Sequence, residues 1–236
     1  MQSNKARLDR FISAKTGICR GDLRLILAQK RVRVDGEVVT TMNYVVNQFS
    51  RIELDDQLLQ DKQPRYLMLN KPVGVVSATQ DAQHKTVVDL LDPALREDLH
   101  IVGRLDLNSS GLVLLTNDGE WSRCLMAPEA KVAKVYEVQV EQPISDDCIR
   151  AFAEGMYFAF EDLTTRPARL EKMNDTLAKV TLTEGRYHQI KRMFGRFRNK
   201  VVALHRVSVG PIRLDGALAP GESRALTTDE VNCLNG

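Results

Sequence analysis

The sequence is poor in the features that mark several protein classes. Its four cysteines, Cys19, Cys124, Cys148 and Cys233, lie far apart and form no C-x-x-C pair. That spacing argues against a zinc site or a disulfide framework and suits a reducing compartment. No apolar run approaches the roughly 20 residues needed to cross a bilayer. The opening MQSNKARLDR lacks the apolar core of a secretory signal. A cytoplasmic protein with no membrane association is therefore expected. A phosphate-binding P-loop, a dinucleotide fingerprint and a cluster of metal-ligand residues are also missing, so neither a nucleotide cofactor nor a metal is expected.

A net excess of either charge is nearly lacking too, but the net +2 hides an asymmetry. Residues 1–33 carry nine Lys/Arg against Asp9 and Asp22, a net of +7. Residues 184–206 carry seven against Glu184, a net of +6, which leaves −11 for the other 180 residues. Two basic islands on an acidic body suggest a polyanion gripped at two places, with two solvated helical faces as the plainer alternative.

What is present begins with a small helical module. Leu8, Phe11 and Ile12 recur at helical spacing and Gly17 follows as a stop, which predicts a helix over 7–16. A second helix is expected from Arg20 to Gln29, with Leu23, Ile26 and Leu27 inward and Arg20 and Arg24 one turn apart on one face. In VRVDGEVV, Val32 and Val34 alternate with Arg33, and Asp35-Gly36 is the signal for a type I′ hairpin turn. The polar, acidic stretch ELDDQLLQDKQPR, 53–65, reads as a connection ending at Pro64, so two domains are expected, 1–60 and 64–236. The first, RLDRFISAKTGICRGDLRLILAQKRVRVDGEVV, resembles the S4-type RNA-binding domain. The resemblance implies RNA binding through Arg7, Arg20, Arg24, Lys30, Arg31 and Arg33 as phosphate contacts.

The larger domain alternates strand-like runs with few long helices, which predicts an α+β domain built on a mixed, mainly antiparallel sheet. YLMLNKPVGVVSA starts as a strand at 66–69 and turns at Lys71-Pro72. In HIVGRLDLNSSGLVLLTNDGEW, Asp106 stands in a loop between two apolar runs, with Arg104 two residues before it. Burial opposes ionisation of a carboxylate and a nearby cation favours it, so an ionised Asp106 needs a positive partner. In AKVYEVQVE, Tyr136 shares a strand face with Val138 and Val140. In TEGRYHQIKRMFGRF, Ile190, Met193, Phe194 and Phe197 define an amphipathic helix after a strand at 179–183. His188 and His205 read as structural, hydrogen-bonded histidines.

VGRLDLNSSGLVLLTNDG, the K-x-Y at Lys134–Tyr136 and R-x-H-Q-I-K at Arg186–Lys191 together resemble the pseudouridine synthases, in the branch that modifies ribosomal RNA. The resemblance implies a bisected sheet with a cleft across its middle. It implies that Asp106 is the indispensable catalytic residue, with Arg104 or Lys191 as its cation. Tyr136 would stack on the target base and Ile190 would lie beneath it. Asn70, Lys71 and Arg192 are the further substrate-binding candidates.

The implied reaction turns uridine into pseudouridine without gain or loss of an atom and without cofactor, on a nucleotide flipped out of its stack. Attack at C1′ and removal of a 2′ proton both remain open as the first step. The N-terminal module and the lack of a basic C-terminal tail favour 16S ribosomal RNA, or a small-subunit assembly particle, as the partner of a monomeric enzyme. A large-subunit (23S) enzyme of the same branch is the first alternative. A non-catalytic S4-domain assembly factor is the second, and a glycosidase pairing Asp106 with Glu120 is the third.

Overall fold

A computed structural model describes residues 5–233, and the chain divides into two compact units, Met1–Pro64 and Arg65–Gly236. The first unit contains β1 (Lys5–Arg7), α1 (Leu8–Thr16), α2 (Arg20–Ala28), β2 (Val32–Val34), β3 (Glu37–Val38), β4 (Val45–Asn47), β5 (Ile52–Leu54) and β6 (Gln57–Gln60). Gly17 ends α1 in the left-handed conformation, φ 76°, and its N–H donates to the Ser13 carbonyl. Leu8, Ile12, Leu23 and Leu27 from the helices meet Val32, Val34 and Ile52 from a sheet of order β3-β2-β5-β6. The expected turn at Asp35-Gly36 has positive φ at both residues, 52° and 86°, as a type I′ turn requires.

The acidic stretch expected as a connection is instead mostly structure. Ile52 and Leu54 point into the core and pair with β6 across a second tight turn at Asp55 and Asp56, φ 51° and 63°. Aspartate tolerates the left-handed region, so two acids do here what Asp-Gly does in the first hairpin. The segment between β6 and the second unit is correspondingly short.

The second unit contains β7 (Tyr66–Lys71), β8 (His100–Val102), β9 (Ser110–Thr116), α3 (Gly119–Met126), β10 (Lys134–Val140), α4 (Asp146–Glu154), β11 (Tyr157–Phe158) and β12 (Leu163–Thr164). It continues with β13 (Arg169–Lys172), β14 (Leu177–Leu182), α5 (Gln189–Gly195), β15 (Val201–Val209), β16 (Ile212–Arg213), β17 (Ser223–Ala225) and α6 (Thr228–Asn232). The main sheet runs β13-β14-β10-β15-β9-β7-β17, with β8 on β9 and β16 on β15. It is a mixed sheet, antiparallel everywhere except at β9–β15, which run parallel and pair only at Ser110–His205 and Gly111–Arg206.

Two apolar clusters cover the faces of β9. Val113 and Leu115 enter one, Leu112 and Leu114 the other, which is why this strand reads as an unbroken apolar run. At the β9–β15 seam Gly111 has φ 103°, and a Cβ there would stand 2.3 Å from the Arg206 carbonyl oxygen. Only glycine permits that approach. Helix α5 is shorter than its apolar spacing suggests. It buries Ile190, Met193 and Phe194 but ends at Gly195, and Phe197 is only half-buried beyond it.

Candidate active site

Asp106 lies in the loop 103–109 between β8 and β9, and that loop is tied at almost every carbonyl. Arg206, 1 % exposed on β15, donates to the carbonyls of Gly103 at 2.6 Å, Leu112 at 2.8 Å and Arg104 at 3.4 Å. Lys71, fully enclosed at the end of β7, donates to Ser109 O at 2.6 Å, Pro72 O at 3.0 Å and Leu107 O at 3.4 Å. Ser77 bridges both polar groups of the Leu105 backbone, and Ser109 N donates to Asp106 O at 3.0 Å. Two buried cations with no carboxylate of their own therefore gather the carbonyls on either side of Asp106. Unpaired buried charge is costly, so this placement marks a loop whose shape matters.

The Asp106 side chain is about one-third exposed. Its Oδ2 receives Lys191 Nζ at 3.4 Å and His188 Nε2 at 3.3 Å. No hydrogen bond to Oδ1 is present among the described residues, so one carboxylate oxygen is held and the other is left open. Burial pushes the Lys71 ammonium down to about 8, with the Asp106 carboxylate opposing that shift and Arg206 and Lys191 adding to it. These charges form one electrostatic group, a single carboxylate among several cations. Beside it runs a cleft of about 810 Å³ whose lining includes Asn108, Ser110, Lys191, Arg198 and Lys200.

The structure sorts the expected residues. Tyr136 on β10 lies opposite Arg206 of β15 and shares a core cluster with Leu105, next to Asp106, and Ile190, next to Lys191. Lys191 rather than Arg104 is the cation beside the carboxylate. Arg104 is exposed and forms no ion pair among the described residues, because its backbone rather than its guanidinium faces the loop clamp. Lys71 is enclosed and holds loop carbonyls, so its ammonium is a positioning group and not a surface for substrate. Asn70 is buried and donates to Leu218 O at 2.8 Å. Arg192 pairs with Glu161 and lies over the Phe158 ring, 4.2 Å from its centroid.

Of the first basic island, Arg7 and Arg20 both clasp the buried Asp9, and Arg31 pairs with Asp55. Arg24, Lys30 and Arg33 are exposed and unpaired among the described residues. The second island is thinner than its sequence suggests, since Arg206 is buried and Arg186 and Arg192 have carboxylate partners. His205 is structural as expected, its Nδ1 2.9 Å from Ser110 Oγ. His188 is not merely structural, because it touches Asp106. The sequence reads it as structural because a histidine in a loop carries no periodic signal of what it faces. Arg206 counts in the sequence with the second basic island, and the signal of its burial is its place between Leu204 and Ser208 on the inward side of VALHRVSVG.

Among the described residues no helix is long and apolar enough to cross a membrane, and no group of three or more His, Cys, Asp or Glu could hold a metal ion.

A carboxylate contacted by Lys191 and His188 on a braced loop, at the parallel seam of an otherwise antiparallel sheet, defines a candidate single-acid site. Comparison with known proteins makes the class specific. Residues 65–195 match the family described as RNA pseudouridylate synthase. The chain is 53 % identical over 226 residues to the ribosomal small subunit pseudouridine synthase A of Pseudomonas aeruginosa, covering 95 % of this chain and 98 % of that protein. It is 43 % identical to the protein of the same name from Escherichia coli K12, again covering 95 % and 98 %. A crystal structure of a pseudouridylate synthase superposes with a TM-score of 0.71 at 39 % identity, covering 97 % of this chain and 99 % of that one. This chain belongs to the RNA pseudouridylate synthase family.

Proposed function

We propose that the protein isomerises a specific uridine of 16S ribosomal RNA to pseudouridine, with Asp106 as the nucleophile. The observation that carries this reading is the Asp106 carboxylate itself, one oxygen held by Lys191 and His188 and the other open at the edge of a basic cleft. The near-full-length similarity to small-subunit enzymes from two organisms supports 16S RNA, free or in an assembly particle, over the 23S alternative.

The chemistry asks for a nucleophile that is ionised and fixed. Lys191 supplies positive charge at Oδ2 with His188 beside it, and the Lys71 and Arg206 clamps fix the loop, so Oδ1 reaches an extruded nucleoside without rearrangement. Tyr136 and Ile190 form the wall behind the base. Asp106 forms a bond to carbon in the nucleotide, the glycosidic N1–C1′ bond breaks, the uracil turns, C5 bonds to C1′ as the carboxylate is released, and C5 gives up its proton to solvent while N1 takes one up. Residues 1–60 act as an S4-like module that grips RNA phosphate, with Arg24, Lys30 and Arg33 the cations free to do so. A monomeric, cytoplasmic enzyme fits these features.

The glycosidase reading needs a second acid facing Asp106. Glu120 sits exposed in the first turn of α3, and the side chains at the Asp106 carboxylate are Lys191 and His188 rather than an acid.

The test is conversion of 16S transcript or partly assembled small subunit, mapped by carbodiimide-blocked primer extension. Wild type should yield one stop, and Asp106→Ala should abolish it while retaining RNA affinity within about threefold. A wild-type level of product from Asp106→Ala would overturn the assignment. RNA binding with no product from wild type would favour the inert assembly factor.

A further inference from the structure

Beside Asp106 stands an aromatic pair whose outer ring the reaction as described does not use. The Tyr187 and His188 rings are stacked, 3.9 Å between centroids and 20° from parallel. The inner ring, His188, reaches Asp106 Oδ2 at 3.3 Å. The outer ring, Tyr187, is 77 % exposed although His188 covers one of its faces.

The pair is built rather than incidental. His188 adopts the left-handed conformation, φ 50°, a region few non-glycine residues enter and histidine enters more often than most. The turn that imposes it is locked from below. Gln189, 4 % exposed, donates to Glu184 Oε1 at 2.7 Å and accepts from Arg186 N at 3.2 Å. The same Glu184 oxygen accepts from Arg166 N at 2.9 Å, and its partner oxygen receives Arg186 Nε at 3.1 Å. A polar network thus holds a flat apolar surface in water, one ring away from the candidate nucleophile, with Arg186 and Lys191 on either side of it in the chain.

We propose that the open face of Tyr187 stacks on the unpaired nucleobase adjacent to the target uridine, so that the flipped strand is read one nucleotide beyond the reacting one. This rests on the reading of Asp106 as acting on RNA. An exposed aromatic face is the surface a single-stranded base takes, because every base offers a π-face. The stack has a second consequence. A base on Tyr187 would press the pair together and hold His188 Nε2 against Asp106, linking recognition of the neighbour to the order of the site.

The experiment uses the full chain and a 16S fragment carrying the uridine that wild type converts, with 2-aminopurine or an abasic residue at its 5′ or its 3′ neighbour. Base stacking of this kind sets the expected loss of affinity for Tyr187→Ala at about 5- to 150-fold. Tyr187→Phe and Tyr187→Trp should bind as wild type does. For one of the two neighbours, wild type should change 2-aminopurine fluorescence on binding and Tyr187→Ala should not. An abasic residue at that same neighbour should weaken wild type by the same factor and leave Tyr187→Ala unaffected. Unchanged affinity of Tyr187→Ala, or equal loss by Tyr187→Phe, or full additivity of the two losses, would overturn the inference while product formation by wild type kept the reading of Asp106 intact. If wild type converted no uridine, that reading would fall and this one with it.

Discussion

Replacing Lys71 by methionine separates the price of a buried ammonium from its use. The side chain is fully enclosed, and burial lowers its ionisation from the usual 10.5 to about 8. Below pH 8 the lysine is charged in both folded and unfolded chains, and the fold bears the whole desolvation cost. Between about 8 and 10.5 the folded chain has released the proton while the unfolded chain still holds it, so stability rises with pH. A shift of this size corresponds to about 3 kcal/mol in total, gained at no more than about 1.4 kcal/mol per pH unit.

Lys71→Met has no such group and should lack this rise. Denaturant unfolding of both proteins at pH 7, 8, 9 and 10 measures it, followed by the fluorescence of Trp121, the only tryptophan in the sequence and buried in the second unit. The difference between the two proteins cancels other titrating groups. At pH 7 methionine recovers the desolvation cost but leaves the Ser109 carbonyl without its 2.6 Å donor. Charged hydrogen bonds contribute about 1.5–3 kcal/mol, so the two effects nearly offset and stability should change by about 1 kcal/mol or less. Activity should not be spared. With the Ser109 carbonyl released and that of Leu107 left to the Gly74 N–H alone, Asp106 loses its position, and single-turnover conversion should fall about 100-fold, as misplacement by about 1 Å does. A stability difference that is flat from pH 7 to 10 would refute the account of Lys71, whatever happened to the rate.

Three further outcomes follow from other parts of the molecule. Gly111→Ala should destabilise the second unit by more than about 2 kcal/mol, since the new Cβ would lie 2.3 Å from the Arg206 carbonyl oxygen at φ 103°; the Trp121 transition reads this. Asp9 is buried, which alone would raise its ionisation, but bonds from Arg20, Arg7 and the Arg10 N–H outweigh burial and hold it below its usual value. Its contribution is thus present above about pH 4 and lost as pH falls through the depressed value, so Asp9→Asn should flatten the acid limb of unfolding in the isolated or intact first unit. In RNA-binding titrations against salt, Arg24→Ala and Arg33→Ala should each lower the slope by about one, and Arg31→Ala, already paired with Asp55, by clearly less.

Much of this architecture was legible because periodicity and turn chemistry are local. The two helices of the first unit, the Asp35-Gly36 hairpin, the apolar strand β9 and the alternating strand β10 follow from residue spacing alone. The β5–β6 hairpin was not legible, since Asp55-Asp56 in acidic surroundings carries no glycine to announce a turn. Around the site, Asp106, Tyr136 and Lys191 were found through the family motifs, and Lys191 was preferred over Arg104 only once the fold was known. A two-residue offset along the chain says nothing about which way an arginine in a loop points. Lys71, Arg206 and His188 act through contacts 38, 103 and 82 residues away in sequence, and no local pattern encodes those.

The positive charge of the sequence changes meaning once it is placed in the structure. Counted along the chain, the second island looks like a handle for RNA phosphate. In the fold, Arg206 is buried under the Asp106 loop, Lys191 is spent on the carboxylate, and Arg186 and Arg192 have acids beside them. What remains for phosphate is Arg198 and Lys200 along the cleft, with Arg196 exposed and donating to the Tyr157 carbonyl. Buried cations that hold carbonyls serve two ends at once. They fix the loop in space, and their field surrounds a lone carboxylate with positive potential that a second acid would cancel. A site that catalysed with paired acids would have to remove Lys71 and Arg206, whereas one that presents a single anionic nucleophile to a polyanion needs both. The distribution of buried charge, more than the carboxylate alone, therefore selects among the chemistries open to Asp106.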